Sequence, residues 1–339
     1  MNQPNGSIIK LDHGSGGKAF QNLLHSTILK AFDHPILHEC NDSAVCTIEN
    51  CRIAFTTDSY IVDPLFFPGG CIGDLAINGT VNDLSMSGAI PLYLSVGLVI
   101  EEGFDIQLLN TILRTMNKAS SYADVHVVTG DTKVMPKGAL DQLIINTSGI
   151  GLVQKNLSIS CGNAQPGDKI ILSGTIAEHG IAVLMKREQF QIDTNIQSDT
   201  APLNHMVHHL IQEGCIIHSL RDPTRGGLAA CLNEIAIASG YGIDIWEHAI
   251  PVHPDVQSIC DLFGYDPLYI ANEGKLIACI PPQDADKALS IIQKEPFGKN
   301  AAIIGEIIET NNNMVLMTTA IGGKRIVDMP VGEQLPRIC

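Results

Sequence analysis

Residues 56–89, TTDSYIVDPLFFPGGCIGDLAINGTVNDLSMSGA, contain the pattern that decides the fold. Small residues fill the part from Gly70 to Gly88, with larger apolar residues interleaved, which predicts a helix packed closely against a sheet. Just before this stretch, Ala44 to Ile48 and Arg52 to Thr57 alternate with a period of two and predict the strands of a hairpin. The first half of the chain should therefore contain a sheet covered by a small-residue helix.

Strands and helices are also predicted on both sides of this stretch. Downstream, the pattern predicts a strand at Leu92 to Val99, a helix at Asn110 to Ala123 and a buried strand at Val125 to Val128. Upstream, the glycine-rich loop from His13 to Lys18 opens a helix. These elements predict an N-terminal α+β domain, residues 1–153.

A polar stretch after Gly151 marks the start of a second predicted α+β domain, residues 154–328. Its predicted strands are Lys169 to Leu172, Leu276 to Ile280 and Ile303 to Ile308, and its predicted helices are Gly180 to Lys186, Leu203 to Glu213, Gly226 to Ser239 and Ala285 to Gln293. The last residues, 329–339 or MPVGEQLPRIC, have no period and contain two prolines and a glycine. They are predicted to form a free, mobile tail.

The charge balance and the hydropathy exclude several classes of partner. The 339 residues include 21 Lys and Arg against 36 Asp and Glu, a net charge of −15 that lacks the cationic footprint of nucleic-acid binding. Apolar runs such as Ile90 to Ile100 are too short or too interrupted to span a bilayer, and the first twenty residues lack a signal-peptide core. The ten cysteines are scattered without a CxxC pair, which is typical of a reducing compartment. We expect a cytoplasmic protein with no nucleic acid and no membrane among its partners.

Several aspartates occur in small or apolar surroundings, where a carboxylate is costly unless it is paired or bound to a metal. Taken singly, each could be a turn or cap residue. Taken together, they are the hard oxygen ligands that Mg²⁺ uses when it bridges nucleotide phosphates. The aspartates are Asp42, Asp58, Asp74, Asp83, Asp131 and Asp222.

Two glycine-rich segments could supply backbone N–H groups to phosphates. One is Gly14-Ser15-Gly16-Gly17 followed by Lys18, and the other is Gly226-Gly227 at the start of a predicted helix. Neither has the spacing of a Walker motif, and no GxGxxG follows a buried strand. Classical P-loop and Rossmann sites are therefore not supported.

Six motifs together resemble one family over essentially the whole chain. They are HGSGGK (13–18), the stretch 56–89, VVTGDTKV (127–134), DPTRGGL (222–228), ANEGK (271–275) and the terminal PRIC (336–339). The chain resembles the hydrogenase maturation carbamoyl dehydratases of the aminoimidazole-ribonucleotide-synthetase superfamily. Selenophosphate synthetases and thiamine-monophosphate kinases share the superfamily signals, but the ending separates them, and selenophosphate synthetases carry Cys or selenocysteine where this chain has Ser15.

The resemblance implies a reaction on the chain's own last residue. A partner carbamoyltransferase would load a carbamoyl group onto Cys339, and ATP would then be used to dehydrate it to a thiocyanate. The cyano group would pass to an iron-carrying hydrogenase maturation scaffold complex, for the iron centre of a NiFe hydrogenase. The resemblance also implies a homodimer formed through the sheets of the N-terminal domains.

The same resemblance assigns residues to the cofactors ATP and Mg²⁺. The expected catalytic residues are Cys339, Lys133 and Glu273, with Lys133 offering charge to the transferred phosphoryl group and Glu273 accepting the nitrogen proton. The expected metal ligands are Asp42, Asp83 and Asp222. The expected nucleotide-binding residues are Gly14, Ser15, Gly16, Gly17, Lys18, Asp58, Asp131, Thr132, Gly226 and Gly227.

Two other functions stay open at this point. One is an ATP-dependent kinase or synthetase of the same superfamily that acts on a free small molecule. The other is a nucleotide-sensing scaffold for metal-centre assembly, in which no chemistry happens on this chain. Deleting the last four residues separates the first alternative from a reaction on Cys339, because a small-molecule kinase should lose little.

Overall fold

Two large β-sheets organise the chain, one built from its first half and one from its second. The computed structural model describes residues 8–190, 194–309, 313–332, 335 and 337–339. The first half contributes the strands β1 (Ala44–Ile48), β2 (Cys51–Tyr60), β3 (Phe66–Phe67), β4 (Gly70–Cys71), β5 (Ala89–Glu101), β6 (His126–Met135) and β7 (Leu143–Val153). It also contributes the α-helices α1 (Lys18–Leu23), α2 (Leu29–Ala31), α3 (Pro35–His38), α4 (Ile72–Met86) and α5 (Ile106–Tyr122).

The first sheet has the strand order β1-β2-β7-β5-β6. Its neighbouring strands are antiparallel, except that β5 and β6 are parallel. Helices α4 and α5 pack on its inner face, where buried side chains such as Leu75, Val96 and Ile145 belong to one apolar core. The outer face of the sheet keeps several large apolar side chains exposed.

Helix α4 lies very close to its neighbours because its glycines leave room for them. A Cβ atom on Gly79 would overlap the hydroxyl of the buried Tyr60 on β2. A Cβ on Gly73 would lie 2.7 Å from the Ile112 carbonyl oxygen of α5. The helix starts with a capping box, in which Asp74 accepts a hydrogen bond from the Cys71 amide at 2.9 Å. Asp74 is therefore a cap residue.

The second sheet contains seven strands, and the second half of the chain also contributes helices. These elements are β8 (Lys169–Leu172), β9 (Ser219–Arg221), β10 (Gly242–Trp246), β11 (Ile277–Ile280), β12 (Ala302–Ile308), β13 (Val315–Thr318) and β14 (Lys324–Ile326), with α6 (Glu178–Arg187), α7 (Asn204–Gln212), α8 (Gly227–Ser239), α9 (Pro254–Phe263) and α10 (Pro282–Ile292). Helices α7, α8 and α10 share the apolar cores of this sheet, whereas α6 and α9 pack into the core of the first half of the chain. The strand order is β14-β13-β10-β12-β8-β11-β9. In the described part of the chain, no helix is both long enough and apolar enough to cross a membrane.

The predicted two-domain α+β architecture is confirmed, and so are the hairpin of β1 and β2 and the small-residue helix α4. The prediction of a buried strand at Val125 to Val128 is wrong: β6 is longer, and its residues are exposed. The reason is that β6 lies at the edge of the sheet, where among the described residues it pairs with β5 alone. Strand β7 was missed, because glycines and polar residues interrupt its apolar pattern, although it is the middle strand of the sheet.

The described residues of the C-terminal segment make contacts with the rest of the fold that its composition does not predict. Leu335 and Ile338 are buried in the same apolar core as α4 and α6. The Ile61 amide donates to a terminal carboxylate oxygen of Cys339 at 3.1 Å, and the Asp63 amide donates to the Arg337 carbonyl oxygen at 3.2 Å. An aperiodic sequence does not show that two apolar side chains find a cleft elsewhere in the fold, so composition alone could not reveal this docking. Pro336 lies outside the described residues.

Candidate functional site

A cavity of about 210 Å³ lies where the two domains meet. Residues of the first domain, of the second domain, of the glycine loop and of the C terminus all line it. Its acidic lining residues are Asp42, Asp58, Asp83, Asp222, Glu234 and Glu273, and its basic ones are Arg221 and Arg225. The fold thus brings together five of the acidic residues predicted from sequence.

The five predicted acids come from separate places in the chain. Asp42 precedes β1, Asp58 lies near the end of β2, and Asp83 lies in the last turns of α4. Asp222 directly follows β9, and Glu273 lies in the loop before β11. Because most of them sit at strand ends or in loops, their side chains can converge without disturbing either sheet.

Hydrogen bonds and ion pairs fix several of these groups. The Thr56 hydroxyl donates to Asp83 Oδ2 at 2.8 Å. Arg221 reaches two acids, with Nη1 at 3.4 Å from Asp42 Oδ1 and Nη2 at 2.6 Å from Glu234 Oε2. The arginine therefore offsets part of the negative charge on one side of the cavity.

The loop that carries Glu273 is held from behind by a buried carboxylate. Asp199 accepts hydrogen bonds from the Glu273 amide at 3.0 Å and from the Gly274 amide at 3.2 Å. The same carboxylate pairs with Lys275 Nζ at 3.0 Å. The backbone of Glu273 is therefore fixed by Asp199, and its side chain faces the cavity.

Burial and mutual repulsion raise the pKa of the cavity acids. Burial raises the pKa of Asp83 well above its usual value, and the charges of Asp222, Asp58 and Asp42 raise it further. The pKa values of Asp222 and Glu273 are raised well above their usual values, again mainly by burial. Burial raises the pKa of Asp42 to about 6, although Arg221 opposes the shift. A cationic ligand would relieve this repulsion.

The carboxylate oxygens of the cavity are suitable ligands for a magnesium ion that is also bound to phosphates. Asp222 Oδ2 and Glu273 Oε1 are buried and accept no hydrogen bond within the described chain. In the described residues, no three His, Cys, Asp or Glu side chains lie close enough together to hold a metal by themselves. Mg²⁺ does not need such a cage, because it is commonly bound through one or two carboxylates, phosphate oxygens and water. Asp42, Asp83 and Asp222 therefore remain predicted ligands.

Cys339 lies in the cavity beside Arg225. The negative charge at Cys339 is the main cause that raises the pKa of Arg225. The last residue of the chain is thus placed among the predicted site residues.

Only part of the glycine-rich loop lines the cavity. Gly16 does, and a Cβ on it would lie 3.1 Å from the Arg225 carbonyl oxygen. Gly17 packs against Pro330, whose carbonyl oxygen accepts from the Lys18 amide at 2.8 Å, and the Lys18 side chain is exposed. Gly14, Ser15, Gly17 and Lys18 are not part of the cavity lining in this single chain, because the loop turns toward the beginning of the C-terminal segment.

Gly226 and Gly227 form the entry to α8 next to the cavity. Both have positive φ angles, +76° and +61°, which glycine adopts without strain. A Cβ on Gly227 would lie 2.6 Å from the Ile270 carbonyl oxygen. The two glycines allow close packing here, and the neighbouring Thr224 and Arg225 are the residues that line the cavity.

Asp131, Thr132 and Lys133 do not reach the cavity within one chain. They lie on the exposed edge strand β6, where Lys133 Nζ pairs with Asp131 Oδ2 at 2.6 Å. Their predicted grouping with the other aspartates fails in this chain because β2, which carries Asp58, and β6 are separated by β7 and β5. Their predicted roles remain untested by this arrangement.

Sequence reasoning missed the cationic side of the site. Arg221 and Arg225 flank Asp222 in the RDPTRGGL stretch, yet only the aspartate and the glycines were assigned. Buried carboxylates need compensating positive charge, so the two arginines beside Asp222 could have been predicted as site residues. Glu234 and Thr56 gave no such signal, because a polar residue is equally expected on the surface of a helix such as α8 or of a strand such as β2.

Comparison with known proteins identifies relatives over nearly the whole chain. Residues 40–153 match the AIR synthase related protein N-terminal domain, and residues 165–317 match the AIR synthase related protein C-terminal domain. The carbamoyl dehydratase HypE of Rhizobium leguminosarum bv. viciae is 48% identical over 332 residues, which cover 98% of this chain and 95% of that protein.

Solved structures of HypE proteins share the fold. The HypE structure in a HypE–HypF complex has a TM-score of 0.87 at 46% identity and covers 91% of this chain and 99% of that chain. The structure of HypE in complex with ATP has a TM-score of 0.83 at 46% identity and covers 98% of this chain and 100% of that chain. An ATP-bound relative therefore superposes on both domains.

Asp83→Asn tests the ligand role of the cavity acids. The variant should lose Mg²⁺-dependent ATP hydrolysis by about 100-fold or more, because the amide cannot supply the charge. Without ligands it should be more stable than the parent. A carboxyl pKa raised in the folded state means that stability falls as pH rises above the ordinary value of 3.8, and Asn removes this loss.

The two readouts are Mg²⁺-dependent phosphate release and the unfolding midpoint measured from pH 4 to pH 7. Asp286→Asn, on an exposed position of α10, is the matched control and should change neither. Normal hydrolysis by Asp83→Asn would remove Asp83 from the ligand set.

Proposed function

Since the chain belongs to the HypE family of carbamoyl dehydratases, we propose that it uses ATP to dehydrate an S-carbamoyl group on its own Cys339 to a thiocyanate. The observation that carries this proposal is the position of Cys339, which lines the same cavity as the cluster of carboxylates and Arg225. A chain end that served only as a surface tail would have no reason to occupy a charged interdomain cavity. The product would supply the cyanide ligand of a hydrogenase iron centre.

The reaction is a phosphoryl transfer followed by an elimination. The carbamoyl oxygen attacks the γ-phosphorus of ATP, the bond to the β-phosphate oxygen breaks, and ADP leaves. The C–O bond then breaks and phosphate departs with the former carbamoyl oxygen, while both nitrogen protons are lost over the two steps and C≡N forms. Phosphorylation is needed because an amide oxygen is otherwise a very poor leaving group. The elements of water removed from the carbamoyl group end in phosphate and released protons.

The cavity residues divide these tasks. Mg²⁺, when bound, would neutralise charge on the phosphates, and Asp42, Asp83 and Asp222 would hold it. Arg225, next to Cys339, would face charge that develops near the thiocarbamate. Glu273 would accept a nitrogen proton, and the burial that raises its pKa makes its carboxylate a stronger base.

A second copy of the chain would complete the assembly. On the outer face of the first sheet, Phe55 lies opposite Ile150 and Ile150 lies opposite Tyr93, so three exposed side chains form one row across three strands. A continuous apolar row of this kind is typical of a covered interface. Asp131 and Lys133 pair with β5 along the same sheet, and we propose that the dimer brings Lys133 to the nucleotide of the other copy.

Two further partners follow from the same proposal. A carbamoyltransferase must load Cys339, and a relative of this chain forms a HypE–HypF complex that fits such a step. An iron-carrying maturation scaffold complex would accept the cyano group. Both encounters require the terminal residues to leave the cavity and return.

Cys339→Ala tests the substrate role of the terminal residue. The variant should fold, dimerise and bind ATP like the parent, because Cys339 contributes little to the core, but the terminal peptide should show no modification. In the parent, mass spectrometry should find this peptide heavier by one carbamoyl group after loading, and lighter by one water after ATP is added. Cys51→Ala, at an exposed cysteine, is the control and should behave like the parent. Carbamoylation of an internal cysteine with Cys339 unmodified would refute the mechanism and favour a small-molecule kinase.

Glu273→Gln should separate binding from chemistry. The amide cannot accept the proton, so ATP should bind with unchanged Kd, while thiocyanate formation from the loaded chain falls by about 100-fold or more. Binding is measured by calorimetry and product formation by the mass of the terminal peptide. Glu213→Gln, an exposed site after α7, serves as the control. Normal thiocyanate formation in Glu273→Gln would place the base elsewhere, with Lys133 the next candidate.

Phe55→Asp should break the proposed dimer. A charge in the apolar row would raise the dimer Kd by about 100-fold, as expected for a buried interface residue. Light scattering across a concentration series measures the shift, and Phe32→Asp, at an exposed phenylalanine elsewhere, should leave it unchanged. A dimer that survives Phe55→Asp with unchanged Kd would move the interface away from this face.

A further inference from the structure

The segment that carries Cys339 is docked by its backbone. The Ile61 amide donates to a terminal carboxylate oxygen of Cys339, and the Asp63 amide donates to the Arg337 carbonyl oxygen, at 3.1 and 3.2 Å. The spacing of two residues in opposite directions is that of antiparallel pairing, which continues the line of β2 beyond Tyr60. None of these bonds uses the thiol, so a modified Cys339 could dock in the same way.

Between these two bonds lies a third contact, made by a buried histidine. His179 is fully buried near the start of α6, and its Nε2 lies 2.9 Å from the carbonyl oxygen of Ile338. Its Nδ1 lies 2.7 Å from the Ser198 hydroxyl. A carbonyl oxygen only accepts, so Nε2 carries the proton and donates it, while Nδ1 accepts from Ser198. Burial also lowers the pKa of His179, which favours this neutral form.

Further contacts hold both the imidazole ring and its partner Ser198 in place. Phe67 packs against it edge to face, with ring centroids 5.3 Å apart. The Ser198 amide donates to the Pro68 carbonyl oxygen at 2.8 Å, so the hydroxyl that fixes the tautomer is itself anchored. His179 is absent from the lining of the cavity, which places it outside the reaction chemistry in the described structure.

We propose that His179 is a positioning residue for the terminal segment, whose Nε2–H binds the Ile338 carbonyl and thereby holds Cys339 in the interdomain cavity. The inference rests on the proposed function, because only a chain that uses Cys339 as its substrate needs this residue returned to one place. It assigns a role to a side chain that touches neither nucleotide nor carbamoyl group. The hydrogen bond is made to the backbone carbonyl of Ile338, so it can form both before and after the sulfur of Cys339 is modified.

The test measures docking without any chemistry. The full-length protein, with neither ATP nor carbamoyl donor, is treated with N-ethylmaleimide, and peptide masses give the alkylation rate of Cys339 relative to that of the exposed Cys51. His179→Asn places a polar group near the position of Nδ1 but cannot reach Ile338. His179→Gln places an amide N–H near the position of Nε2. We expect Asn to accelerate the alkylation of Cys339 three-fold to ten-fold, and Gln to stay within two-fold of the parent.

Two results would overturn the proposal. One is an unchanged rate in His179→Asn, and the other is equal acceleration in His179→Gln and His179→Asn, which would indicate lost packing instead of a lost hydrogen bond. Unfolding midpoints check that both variants are folded. Should His179→Asn fail to fold, Ser198→Ala removes the group that orients the ring; acceleration at Cys339 supports the proposal, and an unchanged rate contradicts it.

A turnover measurement separates this inference from the proposed function. With a loaded terminal cysteine, His179→Asn should lower the rate of thiocyanate formation several-fold and leave the KM for ATP unchanged, because the docked fraction falls while the nucleotide cavity is intact. Failure of the parent to form thiocyanate would refute the function, whatever the alkylation shows. A normal parent reaction together with a fully active His179→Asn would refute only the role of His179.

Discussion

The burial of several like charges in one interdomain cavity is the constraint on which the rest of the structure depends. Asp83 is surrounded by the charges of Asp222, Asp58 and Asp42, and burial disfavours its ionised form further. Arg221 compensates only one side of the cavity, through Asp42 and Glu234. Such a cluster lowers the stability of the unliganded fold, and both domains must be well packed to maintain it. A cation bound together with phosphates would relieve this repulsion.

Close packing of α4 is what allows the cavity to form where two sheets meet. The helix presents Asp83 toward the second domain while Gly73 and Gly79 let its other sides approach α5 and β2. Asn82, next to Asp83, donates to the Ala201 carbonyl oxygen and accepts from the Leu203 amide, at 3.0 and 2.8 Å. One helix thus supplies a cavity acid and a hydrogen-bonded contact between the domains. A larger residue at Gly79 would displace both.

The sequence predicted local features well and long-range ones poorly. Helix α4 and the β1–β2 hairpin follow from periodicity. The cost of burying carboxylates predicted a group of six aspartates, of which four line the cavity, while Asp74 caps α4 and Asp131 lies on the exposed strand β6. The exposure of β6, and with it the distance of Lys133 from the cavity, depends on strand order, which no local pattern contains. The docking of the terminal segment depends on a cleft built by residues more than a hundred positions away, such as His179.

In the proposed function the substrate is part of the chain, and this would change what the site has to recognise. A free small molecule would need contacts to its own polar groups, whereas here the backbone of Arg337, Ile338 and Cys339 supplies hydrogen bonds that do not depend on the modification. The cavity can then reserve its charged groups for the phosphates and the reacting atoms. The proposed reaction would then require reversible binding, because the same sulfur would have to meet outside partners. A few backbone hydrogen bonds and two buried apolar side chains, each of modest net worth in water, satisfy both requirements.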